Sequence, residues 1–178
     1  MKIIQTLACS TILMLFISTG SLMAEDGLKN IDGYGKTTWG MNPEAVQSVE
    51  RITLLDNQKK YKNGWIGMAR IEELEIAGAK FSCDFIFGDN LEKPLRQVYI
   101  EGKEQANKFI NVGTFSKIEK LLTEKYGPPI FKDDGEKISW RLGKTTIDIT
   151  HWMHGGGLTR VTVVYRPAQA AKDEAKDL

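Results

Sequence analysis

The stretch from Thr114 to Pro167 constrains the fold most, because it joins an amphipathic run, a hard stop and a series of alternating segments. Phe115, Ile118, Leu122 and Tyr126 recur at the three- and four-residue spacing that places side chains on one helix face. Gly127 supplies the close, and Pro128-Pro129 forbid another turn. Ser116 and Glu119 stand at capping-box spacing, so the helix is predicted to open at Thr114 or Ser116, after a turn at Asn111-Val112-Gly113. A charged loop, Lys132-Asp133-Asp134-Gly135-Glu136, follows. Ile138, Trp140 and Leu142 then alternate with Ser139 and Arg141, and Gly143-Lys144 reads as a two-residue hairpin. Ile147, Ile149, His151 and Met153 share one face against Asp148, Thr150, Trp152 and His154. Gly155-Gly156-Gly157 turns into Val161, Val163 and Tyr165. A period of two repeated over three segments predicts an antiparallel meander.

The same order, helix then strands, recurs earlier, between Gly40 and Lys103. Asn42 is suited to cap free amides, Pro43 sits where no helical donor is missed, and Glu44 suits the positive helix end. Met41 and Val46 flank that cap as a hydrophobic staple, and the helix is predicted to run to about Arg51. The polar, lysine-rich span from Ile52 to Gly64 reads as a solvated connection. Trp65 to Ala77 reads as a strand with a bulge, Phe81 to Phe87 as a clean strand, and Leu95 to Glu101 as a third. The expected fold is α+β: two tandem helix-plus-antiparallel-strand units, about 39–103 and 114–167, forming one sheet with the helices packed on one face. Residues 39–167 then make a single domain, with a flexible lead-in at 25–38 and a disordered tail at 168–178.

Residues 1–24 are a different material. Met1-Lys2, an apolar run from Ile12 to Ile17, and Gly20-Ser21-Leu22-Met23-Ala24 predict a secretory signal peptide cut after Ala24. A membrane anchor needs about 20 consecutive apolar residues, and Gln5, Thr6, Ser10, Thr11, Ser18 and Thr19 interrupt this run. Leu7-Ala8-Cys9 has the look of a lipoprotein acylation triplet, but it precedes most of the apolar region it ought to follow. The expected location is therefore periplasmic or secreted, with no integral membrane segment after cleavage. Loss of Lys2 leaves 23 of the 24 basic residues against 23 acidic ones. Without a basic excess or stripe, nucleic acid and anionic membrane surfaces are not expected partners. Cys9 leaves with the signal, and Cys83, on the Phe81, Phe85, Phe87 face, is expected to be a core residue.

Two short motifs carry a resemblance. Gly40-Met41-Asn42-Pro43-Glu44-Ala45-Val46 resembles the Gly-Met helix opening of the small envelope proteins that include the outer-membrane assembly lipoprotein BamE and the beta-lactamase inhibitory protein. Leu122-Thr123-Glu124-Lys125-Tyr126-Gly127-Pro128-Pro129 is similar to the Leu-Gly-x-Pro close of their helices. The resemblance implies helices on one face of an antiparallel sheet, with two units in tandem as in the inhibitor. It brings no inhibitory activity with it, because one architecture hosts unrelated roles.

For chemistry, the only dense cluster is His151-Trp152-Met153-His154. Two imidazoles and a thioether suit copper or part of a zinc site, so His151, Met153 and His154 are the candidate metal ligands. Residues three apart on a regular strand point to opposite faces, which sets His151 against His154. A nucleophile reading, Cys83 or Ser139 with His151 and Asp148, meets the same obstacle, and no cofactor or catalytic residue is assigned. Trp152 and Tyr99 fall on the strand faces opposite Ile149 and Val98. If helices cover one side of the sheet, both rings stand on the open side, as anchors for an envelope or extracellular protein partner. The expected function is thus an exported, non-enzymatic interaction module, with a small-ligand or copper/zinc-binding protein as the alternative.

Overall fold

The computed structural model describes residues 30–61, 63–133 and 135–169. The expected signal at 1–24 and all but the first two residues of the expected tail at 168–178 lie outside them. The elements run α1 (Pro43–Val49), β1 (Thr53–Lys60), β2 (Ile66–Ile76), β3 (Ala79–Phe87), β4 (Leu95–Gly102), α2 (Lys108–Tyr126), β5 (Phe131–Asp133), β6 (Lys137–Leu142), β7 (Thr145–Met153) and β8 (Thr159–Pro167). The chain is α+β, and its eight strands form one sheet in the order β1-β2-β3-β4-β8-β7-β6-β5, every neighbour antiparallel.

Local chemistry sets both helix ends that the sequence marks most clearly. Asn42 Oδ1 accepts from the Ala45 amide at 2.8 Å, and Pro43 opens α1. α1 stops at Glu50 in extended backbone, two residues short of the expected Arg51, because the β-branched Ile52-Thr53 that follows is already entering a strand. Gly127 closes α2 at a φ of 91°, with its amide on Thr123 O at 2.9 Å.

Three expectations need correction. α2 opens at Lys108 with Asn107 as its cap, not at Thr114 or Ser116. Asn111 is buried, and its Nδ2 donates to Thr159 O at 2.7 Å, so a tertiary bond holds helical a stretch that composition alone marks as a turn. Thr114 and Ser116 turn their hydroxyls back to the Ile110 and Val112 carbonyls instead of capping. The supposed solvated connection after Ile52 is β1, an edge strand exposed along most of its length. The supposed charged loop begins as β5, whose Phe131 to Asp133 pair with Ser139 to Lys137. Both are outermost strands, where neither face is buried and no alternation survives.

The core lies on the sheet face that α2 covers. Phe81, Cys83, Phe85 and Phe87 of β3, Val98 and Ile100 of β4, and Val161, Val163 and Tyr165 of β8 belong to one buried cluster. Ile147 and Ile149 of β7 and Ile138, Trp140 and Leu142 of β6 extend it. α2 lies on β6, β7 and β8 and contributes Phe115, Ile118 and Leu122, while α1 contributes Val46. The segment before α1 is held to this cluster from Ile31 onward, whereas a flexible lead-in had been expected up to residue 38. Tyr34 stands edge-on to Phe85 and Tyr165, with centroids 6.0 and 5.0 Å away, and Trp39 Nε1 donates to Thr145 Oγ1 at 2.9 Å.

Ile118 is 1 % exposed, facing the core, and Leu121 48 %, at the edge of that face of α2. Ile118→Ala is expected to lose about 2–5 kcal/mol in urea unfolding, and Leu121→Ala to stay within about 0.5 kcal/mol of the parent. Equal losses would mean that α2 is not seated this way.

Candidate functional site

The face opposite the core is built by the even partners of the same alternation. Register lines up Arg70, Asp84, Tyr99, Val164, Asp148 and Ser139 as one row across β2, β3, β4, β8, β7 and β6. Its two carboxylates are buried along with Ser139, Asp84 at 5 % exposure and Asp148 at 6 %. Charge at such depth survives only when hydrogen-bonded and paired, and both are. Arg70 clasps Asp84 through Nε at 2.5 Å and Nη2 at 3.0 Å. Asp148 accepts from Ser139 Oγ at 2.5 Å and from Arg166 Nη2 at 2.8 Å. The Asp84 hydrogen bonds push the Arg70 guanidinium further up.

Toward the β2–β3 end, Arg160 bonds both Glu101 and Glu104. Together with Glu72, Glu73 and Ser82 they line a groove of about 520 Å³. Tyr99 borders this group, and burial with the nearby Glu101 charge raises its hydroxyl to about 12. Burial likewise raises the Tyr61 hydroxyl to about 12, and this oxygen has no hydrogen-bond partner among the described residues.

Trp152 sits opposite Arg160 in the β7–β8 ladder, so it stands beside the groove. Its Nε1 donates to Thr162 Oγ1 at 3.1 Å, yet half of the residue is exposed. That bond fixes the polar edge of the indole and leaves the ring in contact with water. Tyr99 is half-buried, with its hydroxyl near the Arg160 charge.

The candidate ligands are distributed by the strand. His151 is half-buried on the α2 side, its Nδ1 3.2 Å from Gly135 O and its ring 6.2 Å from that of Phe115. Met153 is exposed, and His154 lies past the end of β7, its amide on Leu158 O. Among the described residues no three His, Cys, Asp or Glu side chains gather closely enough to hold a metal ion. Ser139 and Asp148 do meet, but His151 belongs to the other side of the sheet. Cys83 is fully buried, and burial pushes its thiol up to about 12.

The paired row was missed in the sequence. Alternation alone sets Asp84 opposite Cys83 and Asp148 opposite Ile147, which was a usable signal for two acids on one face. Their arginine partners come from strands whose adjacency only the topology gives. No family model, curated protein or solved structure matches the chain.

The raised thiol has a pH consequence. An unfolded chain loses this proton near the ordinary 9.0, whereas the folded chain keeps it to about 12. The contribution is therefore complete below pH 9 and is lost as pH rises toward 12. At pH 8 an aromatic disulfide reagent is expected to label Cys83 only after denaturant is added. Rapid labelling of the native protein would contradict the buried placement.

Proposed function

We propose that this chain is an exported, non-enzymatic interaction module of the bacterial cell envelope, periplasmic or secreted, which docks a protein partner on the sheet face opposite α2. The observation that carries the reading is Trp152: a large ring, half exposed, tethered by Nε1 to Thr162 on a face whose charges are otherwise matched. An indole fixed before binding loses little conformational freedom on docking, and Trp and Tyr dominate binding energy at protein interfaces. Tyr99, two rows inward past Thr162 and Glu101, is the second anchor.

The reading includes two units, about 39–103 and 114–167, with both helices on the covered side. Each helix is followed by four strands, and the last strands of the two sets, β4 and β8, pair at the centre. Val46 of α1 and Phe115 of α2 belong to one core, in keeping with the resemblance to the BamE-like envelope proteins.

A second reading has one observation in its favour. His151 Nε2 is buried without a hydrogen-bond partner among the described residues, while Nδ1 is held by a carbonyl, an arrangement common in metal-bound histidines. Copper or zinc bound by His151, Met153 and His154 would require the turn after β7 to fold back. Titration with Cu(I) and Zn(II) separates the readings, since affinity tighter than about micromolar supports the metal.

For the docking face, the immobilised protein and its Trp152→Ala variant are compared against envelope extract, and the captured partner is then purified. The expected loss for the variant is at least tenfold in affinity, about 1.4 kcal/mol or more, with Leu121→Ala unchanged as a control on α2, across the sheet. Undiminished binding by Trp152→Ala would overturn the assignment.

A further inference from the structure

Residues 31–39 lie outside the helices and the named strands, yet they cross the core. An internal turn, with Thr37 N on Tyr34 O at 2.8 Å, drives the Tyr34 ring inward against Phe85 of β3 and Tyr165 of β8. Cys83 belongs to the same face of β3, and the Tyr34 hydroxyl stands beside its thiol. The segment is thus a cover laid over the middle of the core.

What holds it down comes from a distant part of the chain. Ile31 N donates to Leu142 O at 3.3 Å, and Lys144 Nζ reaches Asp32 Oδ2 at 2.9 Å. Thr145 makes two ties at once: its buried hydroxyl donates to Ile31 O at 2.8 Å and accepts from Trp39 Nε1 at 2.9 Å. One oxygen therefore pins both ends of the segment. The side-chain ties to Lys144 and Thr145 span 106 to 114 residues of sequence. On the α1 side the Lys36 amide donates to Glu50 Oε1 at 2.6 Å. The α2 side differs, because among the described residues an open cavity of about 710 Å³ lies between this segment and Lys125 and Tyr126 of the last helical turn. At the other end Gly40, exposed and at a φ of 91°, holds a conformation that costs glycine little. Its amide donates to Leu95 O at 3.1 Å and Leu95 N donates to Met41 O at 2.7 Å, so this pivot is fixed to β4.

We infer that residues 31–39 are a strap that lifts from the core as one unit about Gly40 while the sheet stays folded, uncovering Cys83, Phe85 and Tyr165. A segment outside the ladders, held by a handful of hydrogen bonds and open along one flank, has the features of the parts of a protein that open first. None of these ties belongs to the β4–β8 ladder, so breaking them leaves the central pairing intact. The Thr145 hydroxyl is the latch, since its loss releases Ile31 O and Trp39 Nε1 together. Because the latch belongs to the β6–β7 hairpin, the strap closes only after the second set of strands is in place. The inference does not depend on docking at Trp152.

The protein is exposed at pH 8 to a small methanethiosulfonate reagent in urea below the unfolding midpoint, and modification is followed by mass spectrometry of the Cys83 peptide. The expected rate is slow and nearly independent of urea at low concentration, because lifting the strap exposes little surface, and it joins the steep global transition only near the midpoint. Thr145→Val is expected to raise the low-urea rate at least about tenfold, and Trp39→Phe, which removes one of the two latch bonds, at least about threefold. Ile118→Ala, under α2, is expected to lower the midpoint and leave the low-urea rate unchanged. A rate that follows urea as steeply as global unfolding throughout overturns the inference, since Cys83 is then reached only from the unfolded chain. Equal acceleration by Ile118→Ala and Thr145→Val overturns it as well. Urea unfolding of each variant shows that it folds; should Thr145→Val not fold, Trp39→Phe decides, and an unchanged rate there counts against the strap.

Discussion

Everything else in this molecule depends on the antiparallel ladder between β4 and β8. Val98, Tyr99, Ile100 and Glu101 pair with Tyr165, Val164, Val163 and Thr162, and these few pairs fuse two four-stranded meanders into one sheet. Without them each meander would expose a long central edge, with unpaired amides and carbonyls and a half-covered apolar face. With them, Val98 and Ile100 join Val163 and Tyr165 in a core that spans both halves. β-Branched and aromatic pairs directly opposite one another are the favoured units of sheet stability.

The ladder also dictates what the uncovered face looks like. Because side chains alternate, each apolar residue that enters the core sends its neighbour to the other side, and the neighbours of Cys83 and Ile147 are Asp84 and Asp148. These acids stand near the middle of the sheet, where long arginine side chains from adjacent strands shield them from water. Removing Asp84 would strand the Arg70 guanidinium, and removing Arg166 would take a hydrogen-bonded cation from Asp148, so neither pair can change one member at a time cheaply. A polar row settled in this way gives little driving force for association. The exposed rings on this face, Trp152 and, at the β5 edge, Phe131, are the exceptions.

How much of this was legible in the sequence follows the range of the interactions involved. Asn42-Pro43, Gly127-Pro128-Pro129 and the Phe81 to Phe87 alternation were readable because each acts within a few residues. The bulge expected in β2 matches register shifts between Gly67 and Ala69 and between Ile71 and Leu74. The start of α2 was not readable, because Asn111 is helical by virtue of Thr159, 48 residues away. β1 and β5 were not readable because an outermost strand with both faces wet carries no period-two signal. For the candidate site, the facing of Trp152 and Tyr99 was legible from alternation. The arginine clasps were not, since choosing Arg70 for Asp84 requires knowing which strands are neighbours.

The segment before α1 and the residues after β8 meet at one hairpin. Ile31 is bonded to Leu142 at the β6–β7 hairpin, and the Ala168 amide is bonded to Lys144 O at the same hairpin. Trp152 lies seven residues along β7 from Thr145, roughly 24 Å away at 3.4 Å per residue. Residues 31 and 168 thus meet at one end of the sheet, and the indole stands at the other. Hung from a support by the first of these ends, the molecule would present that ring outward, clear of whatever holds it.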